Sequence, residues 1–168
     1  MFKMSNIVLI GYRGSGKSSV GQIIADKTRR KLISTDDLIV ERVGPIREFI
    51  EENSWNKFRD IETQVIDSIR AENAIIDCGG GVIERKENLQ LLRDLGPIFW
   101  LTATEKTIAS RIKDSNHRPS LTDNDFVSEI SRVLKRRRPL YKKFADYNIK
   151  TDQKSPQELA QKIIRKTG

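Results

Sequence analysis

Apolar residues follow two rhythms along this chain, and the alternation between them predicts its architecture. Ile7-Val8-Leu9-Ile10, Ala74-Ile75-Ile76 and Ile98-Phe99-Trp100-Leu101 are short unbroken runs, the pattern of strands covered on both faces. Lys31-Leu32-Ile33 and Tyr147-Asn148-Ile149 read as two more strands. Between them apolar positions recur at helical spacing: at Val20, Ile23 and Ile24, then over Leu38 to Val43, Ile46 to Glu52 and Ser54 to Ala71. The same spacing covers Glu84 to Asp94, Thr104 to Lys113, Asn124 to Phe144 and the segment from Pro156 onward. Strands alternating with helices predict an α/β fold of three layers, with a parallel sheet of about five strands between two layers of helices. Asp114 to Asp123 has turn chemistry and no periodicity, which predicts a mobile loop. Ligands of such a sheet sit beyond the carboxyl ends of its strands, where Gly11, Ser34 to Asp36 and Gly79 to Gly81 fall.

Charges interrupt the apolar stripes at two places. Over Ser54 to Ala71 the stripe is Trp55, Phe58, Val65, Ile66 and Ile69, and Arg59 and Glu62 lie inside it. In the long helix Ile130, Val133 and Leu134 define the inner face, and Arg137 continues it one turn on. A charge on an inward face needs a partner. Arg59 and Glu62 satisfy that need by pairing at i, i+3, or both arginines present their forks to an anionic guest such as a carboxylate; periodicity leaves the two readings open. Trp55 and Trp100, at stripe and strand positions, are expected in the core, with Trp55 also placed to edge a substrate pocket.

The chain has 168 residues and no Pro/Gly/Ser-rich linker, which predicts one domain over residues 1–168. No apolar run approaches the ~20 residues of a membrane-spanning helix, and the four apolar residues after Asn6 fall short of the ~7 or more of a signal peptide. A cytoplasmic protein without a membrane partner is expected. Cys78 is the only cysteine, so an internal disulfide and a Cys-rich metal site are excluded. Lys and Arg number 31 against 23 Asp and Glu, a net charge of +8. They cluster only at Lys135 to Arg138 with Lys142 and Lys143, without interleaved aromatics that would stack on bases. A solvated helix face or a field attracting an anionic nucleotide accounts for the charge, and no nucleic-acid partner is expected.

The most specific chemistry is Gly11 to Ser18, GYRGSGKS, which fits the phosphate-cradling pattern G-x-x-x-x-G-K-[ST] between a strand and a helix. Glycines let backbone N–H groups turn around phosphate oxygens, and the helix start adds its positive dipole end. Lys17 is placed to reach the outer phosphates and Ser18 to ligate Mg²⁺. A nucleoside triphosphate is the implied ligand.

Five further strings, with that loop, resemble the shikimate kinases, small P-loop enzymes that phosphorylate a cyclohexene carboxylic acid. STDDLI is similar to the family's acceptor-site D-x-D motif, FRDIE (Phe58 to Glu62) to F-R-x-x-E, and DCGGG (Asp77 to Gly81) to the triple-glycine motif ending its third strand. NHRP (Asn116 to Pro119) resembles the lid with its arginine, and RRPLY (Arg137 to Tyr141) the family's R-x-P-L-Y. The resemblance spans nearly the whole chain. It implies a P-loop fold of the nucleoside-monophosphate-kinase type, with a lid over about 114–123 and an acceptor-binding helical segment over about 36–71. The activity implied is transfer of the γ-phosphoryl group of ATP to a hydroxyl of shikimate, giving shikimate 3-phosphate and ADP in aromatic amino-acid synthesis. Residue by residue, Asp36 takes the hydroxyl proton, and Arg59, Gly80, Gly81 and Arg137 hold the carboxylate. Gly14, Ser15, Gly16, Lys17, Ser18 and Ser19 hold the phosphates, with Arg118 closing from the lid. Arg111 and the segment Thr151 to Pro156 flank adenine. A monomer using Mg²⁺ is expected.

The chain departs from the family pattern at Ser34, where the motif has an acidic residue that organises the magnesium shell. A serine holds the metal only through water, without negative charge. Asp77, at the end of its strand, is the expected replacement carboxylate, although strand alternation lets only one of Asp77 and Cys78 face the phosphates. Asp37 is the other acidic neighbour, and its place at a helix start favours a dipole contact. His117, the only histidine, reads as a polar surface residue. Three rivals stay open: a gluconate-kinase-like enzyme, a non-catalytic nucleotide-binding regulator and an RNA-binding module.

Overall fold

All four residues of β1 (Ile7–Ile10) are fully buried, because helices cover both faces of the sheet it centres. Ile7 and Leu9 point to one layer, where they pack with Val20 and Ile24 of α1 (Lys17–Thr28) and Leu159 and Ile163 of α8 (Pro156–Thr167). Val8 and Ile10 point to the other. There they meet Ile66 of α4 (Trp55–Ser68), Leu92 of α5 (Glu87–Leu95), and Tyr141 and Phe144 of α7 (Asp123–Phe144). The same alternation runs through β3 (Ala74–Asp77) and β4 (Ile98–Thr102), so their sequences read as unbroken apolar runs. This computed structural model of the protein describes residues 5–114 and 123–168.

With β2 (Lys31–Ser34) and β5 (Tyr147–Lys150) the sheet has five strands, all parallel, in the order β2-β3-β1-β4-β5. The chain leaves β1 for β2 at one edge, returns to β3, then crosses β1 to reach β4. The direction of winding reverses at β1, and a crevice opens over its carboxyl end. Two shorter helices, α2 (Thr35–Val43) and α3 (Ile46–Glu52), join α4 beyond the β2 edge around Ile39, Phe58 and Val65. The remaining helix, α6 (Glu105–Asp114), packs on α7 through Ile108, Ile112, Ile130 and Leu134.

The architecture agrees with the sequence reading, and the differences lie at element ends. α2 begins at Thr35 rather than near Leu38, because Ser34 caps it: its Oγ accepts the Asp37 N–H at 3.2 Å. The helix expected from Glu84 is split. A 3₁₀ turn covers Val82–Glu84, Arg85 is extended, and α5 starts at Glu87. α4 stops at Ser68, where Ile69 turns extended. Among the described residues no helix is long and apolar enough to cross a membrane.

Candidate active site

The loop between β1 and α1 turns on Gly16, whose left-handed backbone (φ 95°) disfavours any side chain. No side chain caps α1, in contrast to α2, α4 and α8, which are capped by Ser34, Ser54 and Ser155. The dipole end and first-turn N–H groups of α1 therefore suit an anion. Lys17 is buried beneath the loop, and its Nζ donates to the Tyr12 carbonyl at 3.4 Å. Ser15 is fully buried and donates its N–H to the same carbonyl at 3.0 Å, so it shapes the cradle from inside. Gly14, Gly16, Lys17, Ser18 and Ser19 line a cleft of about 380 Å³ that also reaches Ser34, Asp36 and Asp77. Arg111 joins the cradle to the segment after β5, donating to the Gly14 carbonyl (3.2 Å) and to Thr151 Oγ1 (3.1 Å) and carbonyl (3.3 Å).

Strand alternation decides between Asp77 and Cys78. Asp77 follows Ile75 to the α1 face and accepts the Ser18 hydroxyl at 2.7 Å. Cys78 follows Ile76 into the opposite core, where burial pushes its thiol far up and keeps it protonated. Asp77 is also the register partner of Ser34 on β2. A hydroxyl and one carboxylate beside a phosphate cradle fit Mg²⁺, which keeps several waters and takes few protein ligands. No denser grouping competes: among the described residues no three His, Cys, Asp or Glu side chains gather as a metal cage.

The glycines after β3 form a floor against which three charged side chains rest. A methyl group on Gly79 would lie 2.6 Å from Oδ1 of Asp36 and 3.3 Å from Oε2 of Glu62. One on Gly80 would lie 3.6 Å from Nη1 of Arg137, and one on Gly81 would overlap the Arg59 guanidinium. Asp36, Arg137 and Arg59 thus converge on residues 79–81. The floor is pinned from below: Thr35 Oγ1 accepts the Gly79 N–H at 3.0 Å, and the Tyr141 hydroxyl donates to the Gly80 carbonyl. Arg59 is held by Glu62 Oε1 at 2.7 Å and by the rings of Trp55 and Phe58, 5.5 and 5.0 Å from its central carbon. Pairing with Glu62 and presenting a fork to a guest are therefore compatible. Trp55 is not a core residue, however. In the first turn of α4 it is 58% exposed, with one edge on Phe58. Trp100 is buried as expected, stacked on Tyr141.

Burial sets the electrostatics. It lowers the proton affinity of Lys17 against the pull of Asp77 and Asp36. Asp36 keeps an open side toward the cleft, yet the protein around it desolvates the carboxyl and raises its pKa; Lys17 opposes the rise and Asp77 and Asp37 add to it. Glu62 is raised for the same first reason, despite Arg59.

Sequence reasoning missed Glu84, whose Oε1 accepts both Arg137 Nε (2.8 Å) and Arg136 Nη2 (2.9 Å). It also missed the Tyr12 ring, 5.9 Å from the Arg137 guanidinium carbon. Tyr12 lies in no periodic stripe, and Glu84, at the very start of one, meets its partners some fifty residues on, so no local pattern signals the pairing. Arg118 and His117 lie outside the described residues.

A parallel sheet wound in this order, with an anion cradle after β1 and a pocket of two arginines and an aspartate beside it, defines a P-loop small-molecule kinase. The family model described as Shikimate kinase matches residues 13–167. A shikimate kinase of Caldicellulosiruptor bescii is 42% identical over 163 residues, 96% of this chain and 94% of the relative. One of Thermodesulfovibrio yellowstonii is 40% identical over 164 residues, with the same coverage. The structure of the Acinetobacter baumannii shikimate kinase in complex with shikimate superposes with a TM-score of 0.88 at 30% identity, covering 96% of this chain and 92% of that one. The chain belongs to the shikimate kinase family, and its activity is the ATP-dependent phosphorylation of a shikimate hydroxyl that the sequence implied.

Proposed function

We propose that this activity is carried by one kinase domain in which the cleft over β1 binds ATP and residues 79–81 carry the acceptor, with a lid over about 114–123. The observation that supports the reading is the convergence of Asp36, Arg59 and Arg137 on three glycines that begin where Asp77, the partner of Ser18, ends β3. Gly14, Gly16, Lys17, Ser18 and Ser19 receive the phosphates, and Arg111 with Thr151 stands on the side of the base. Arg59, Arg137 and the backbone of Gly80 and Gly81 hold the shikimate carboxylate. That anchor turns a ring hydroxyl toward Asp36, which accepts its proton as the oxygen forms a bond to the γ-phosphorus and the bond to the β-phosphate oxygen breaks, releasing ADP. Asp36 suits the role because burial raises its pKa and so strengthens it as a base. Lys17, and Arg118 from the lid, stabilise charge on the transferring group. Mg²⁺ would be held by Ser18 and Asp77, with Ser34 reaching it through water, and would neutralise phosphate oxygens when bound.

Initial-rate kinetics test the assignment. ADP release should require shikimate, gluconate should not replace it, and Arg137→Ala should raise the KM for shikimate by at least about tenfold while the KM for ATP changes little. A nucleotide-binding regulator would release no ADP under any of these conditions.

A further inference from the structure

We propose that Glu84 is a positioning residue for the acceptor: by occupying Nε of Arg137, it aims the two outer nitrogens of that guanidinium at the carboxylate site. The inference rests on the reading that Arg137 binds the shikimate carboxylate. An arginine fork has five donors in one plane, and fixing one edge fixes the direction of the rest. Glu84 takes the Nε edge at 2.8 Å, and Nη1 then lies beside Gly80. The Tyr12 ring stands 5.9 Å from the guanidinium carbon, and the Tyr141 hydroxyl donates to the neighbouring Gly80 carbonyl. A ring face attracts the charge without fixing which nitrogens meet the floor, so that direction is left to Glu84.

The location of Glu84 makes it an accurate clamp. It ends the 3₁₀ turn that starts at Val82, directly after the glycine floor, and its N–H is bonded to the Gly81 carbonyl at 3.0 Å. Floor and clamp therefore move as one unit. Burial works to raise the Glu84 pKa, but hydrogen bonds from Arg136 and Arg137 outweigh it and keep the carboxylate ionised. Arg136, 60% exposed, grips the same Oε1 from outside and holds the carboxylate in place while its own head stays in water.

A double-mutant cycle on shikimate KM at saturating ATP tests the proposal. Glu84→Ala should raise that KM about tenfold, the loss expected for a hydrogen bond to a charged group, with kcat and the KM for ATP within about twofold. Glu84→Gln, which keeps a neutral acceptor at the same reach, should give a smaller rise. In an Arg137→Ala background, Glu84→Ala should add nothing, because a residue acting through Arg137 has no other route to the substrate. If Arg137→Ala raises the KM but Glu84→Ala and Glu84→Gln do not, the clamp is wrong and the carboxylate site stands. The clamp is equally wrong if Glu84→Ala multiplies the defect of Arg137→Ala. If Arg137→Ala leaves the KM unmoved, the carboxylate site itself is misassigned and the clamp falls with it. Should Glu84→Ala fail to fold, as judged by circular dichroism, Glu84→Gln carries the same comparison.

Discussion

The Ser18 hydroxyl donates to Oδ2 of Asp77 at 2.7 Å, and this bond ties the first turn of α1 to the end of β3. Asp77 stands level with Ser34 across the β2-β3 ladder. Where the family pattern has an acidic residue at position 34, this chain thus has a carboxylate one strand over, at the same height above the sheet. The Ser34 side chain, meanwhile, caps α2.

If Asp77 has taken over the metal shell, Asp77→Asn should weaken Mn²⁺ binding in the presence of ADP by at least about tenfold, measured by electron paramagnetic resonance titration. Adding Ser34→Asp should recover part of the loss. An unchanged metal affinity in Asp77→Asn would move the metal to another carboxylate, of which Asp37 is the alternative the sequence offers.

The raised pKa of Asp36 has a catalytic and a thermodynamic consequence. The active form is the carboxylate, so kcat/KM should fall as pH drops through a value above the ordinary aspartate range. Asp36→Asn should remove this acid limb along with most of the activity, about 10²- to 10⁴-fold. A basic limb below the ordinary lysine range is expected from Lys17, whose proton is lost early because of burial.

Stability moves the opposite way. The folded protein binds the Asp36 proton more tightly than the unfolded chain does, so a penalty develops as pH rises from the unfolded pKa to the raised folded one, and it is complete above. Asp36→Asn should thus unfold at a higher temperature than the parent at pH 7, with the difference vanishing in acid below the ordinary aspartate range. Calorimetry at the two pH values checks the sign, and a less stable variant at pH 7 would contradict it.

Arg59 and Glu62 were legible in the sequence as charges inside an apolar stripe, and that anomaly pointed to half of the proposed acceptor site. The strands were legible because both faces of the sheet are covered, which leaves unbroken apolar runs. Trp55 was misread for a physical reason: a stripe position implies burial only where a neighbouring element lies over it, and the first turn of α4 projects past its neighbours. Glu84 was illegible because it sits in a 3₁₀ turn with no periodicity and pairs across 53 residues with Arg137. The glycine floor was visible as three glycines, but not which side chain each one admits.

Because Glu62 is 1% exposed and its partner 12%, their ion pair is a buried one. Glu62→Ala should cost about 3–5 kcal/mol in urea unfolding, since it leaves the Arg59 guanidinium inside without its carboxylate. A loss under about 1 kcal/mol, the range of exposed pairs, would show that water reaches Arg59 freely.

Gly79 and Gly81 separate acceptor binding from chemistry in a way that single side-chain deletions cannot. In both cases the added methyl group meets the far end of a side chain, an Asp36 oxygen for Gly79 and the Arg59 guanidinium for Gly81, and not the backbone. Neither glycine has a positive φ, so alanine brings no backbone strain, and the displaced side chain yields by rotating. The cost falls on the site rather than on the fold. Gly79→Ala should move the Asp36 carboxylate by about 1 Å, and a misplacement of that size lowers kcat on the order of 10²-fold with shikimate KM little changed. Gly81→Ala should push Arg59 off the floor and raise shikimate KM about tenfold or more, because one arm of the carboxylate clamp is lost. Thermal unfolding of both variants should stay within a few degrees of the parent. If Gly81→Ala instead reduced kcat and left KM alone, Arg59 would be acting on the transferring phosphoryl group rather than on the acceptor carboxylate.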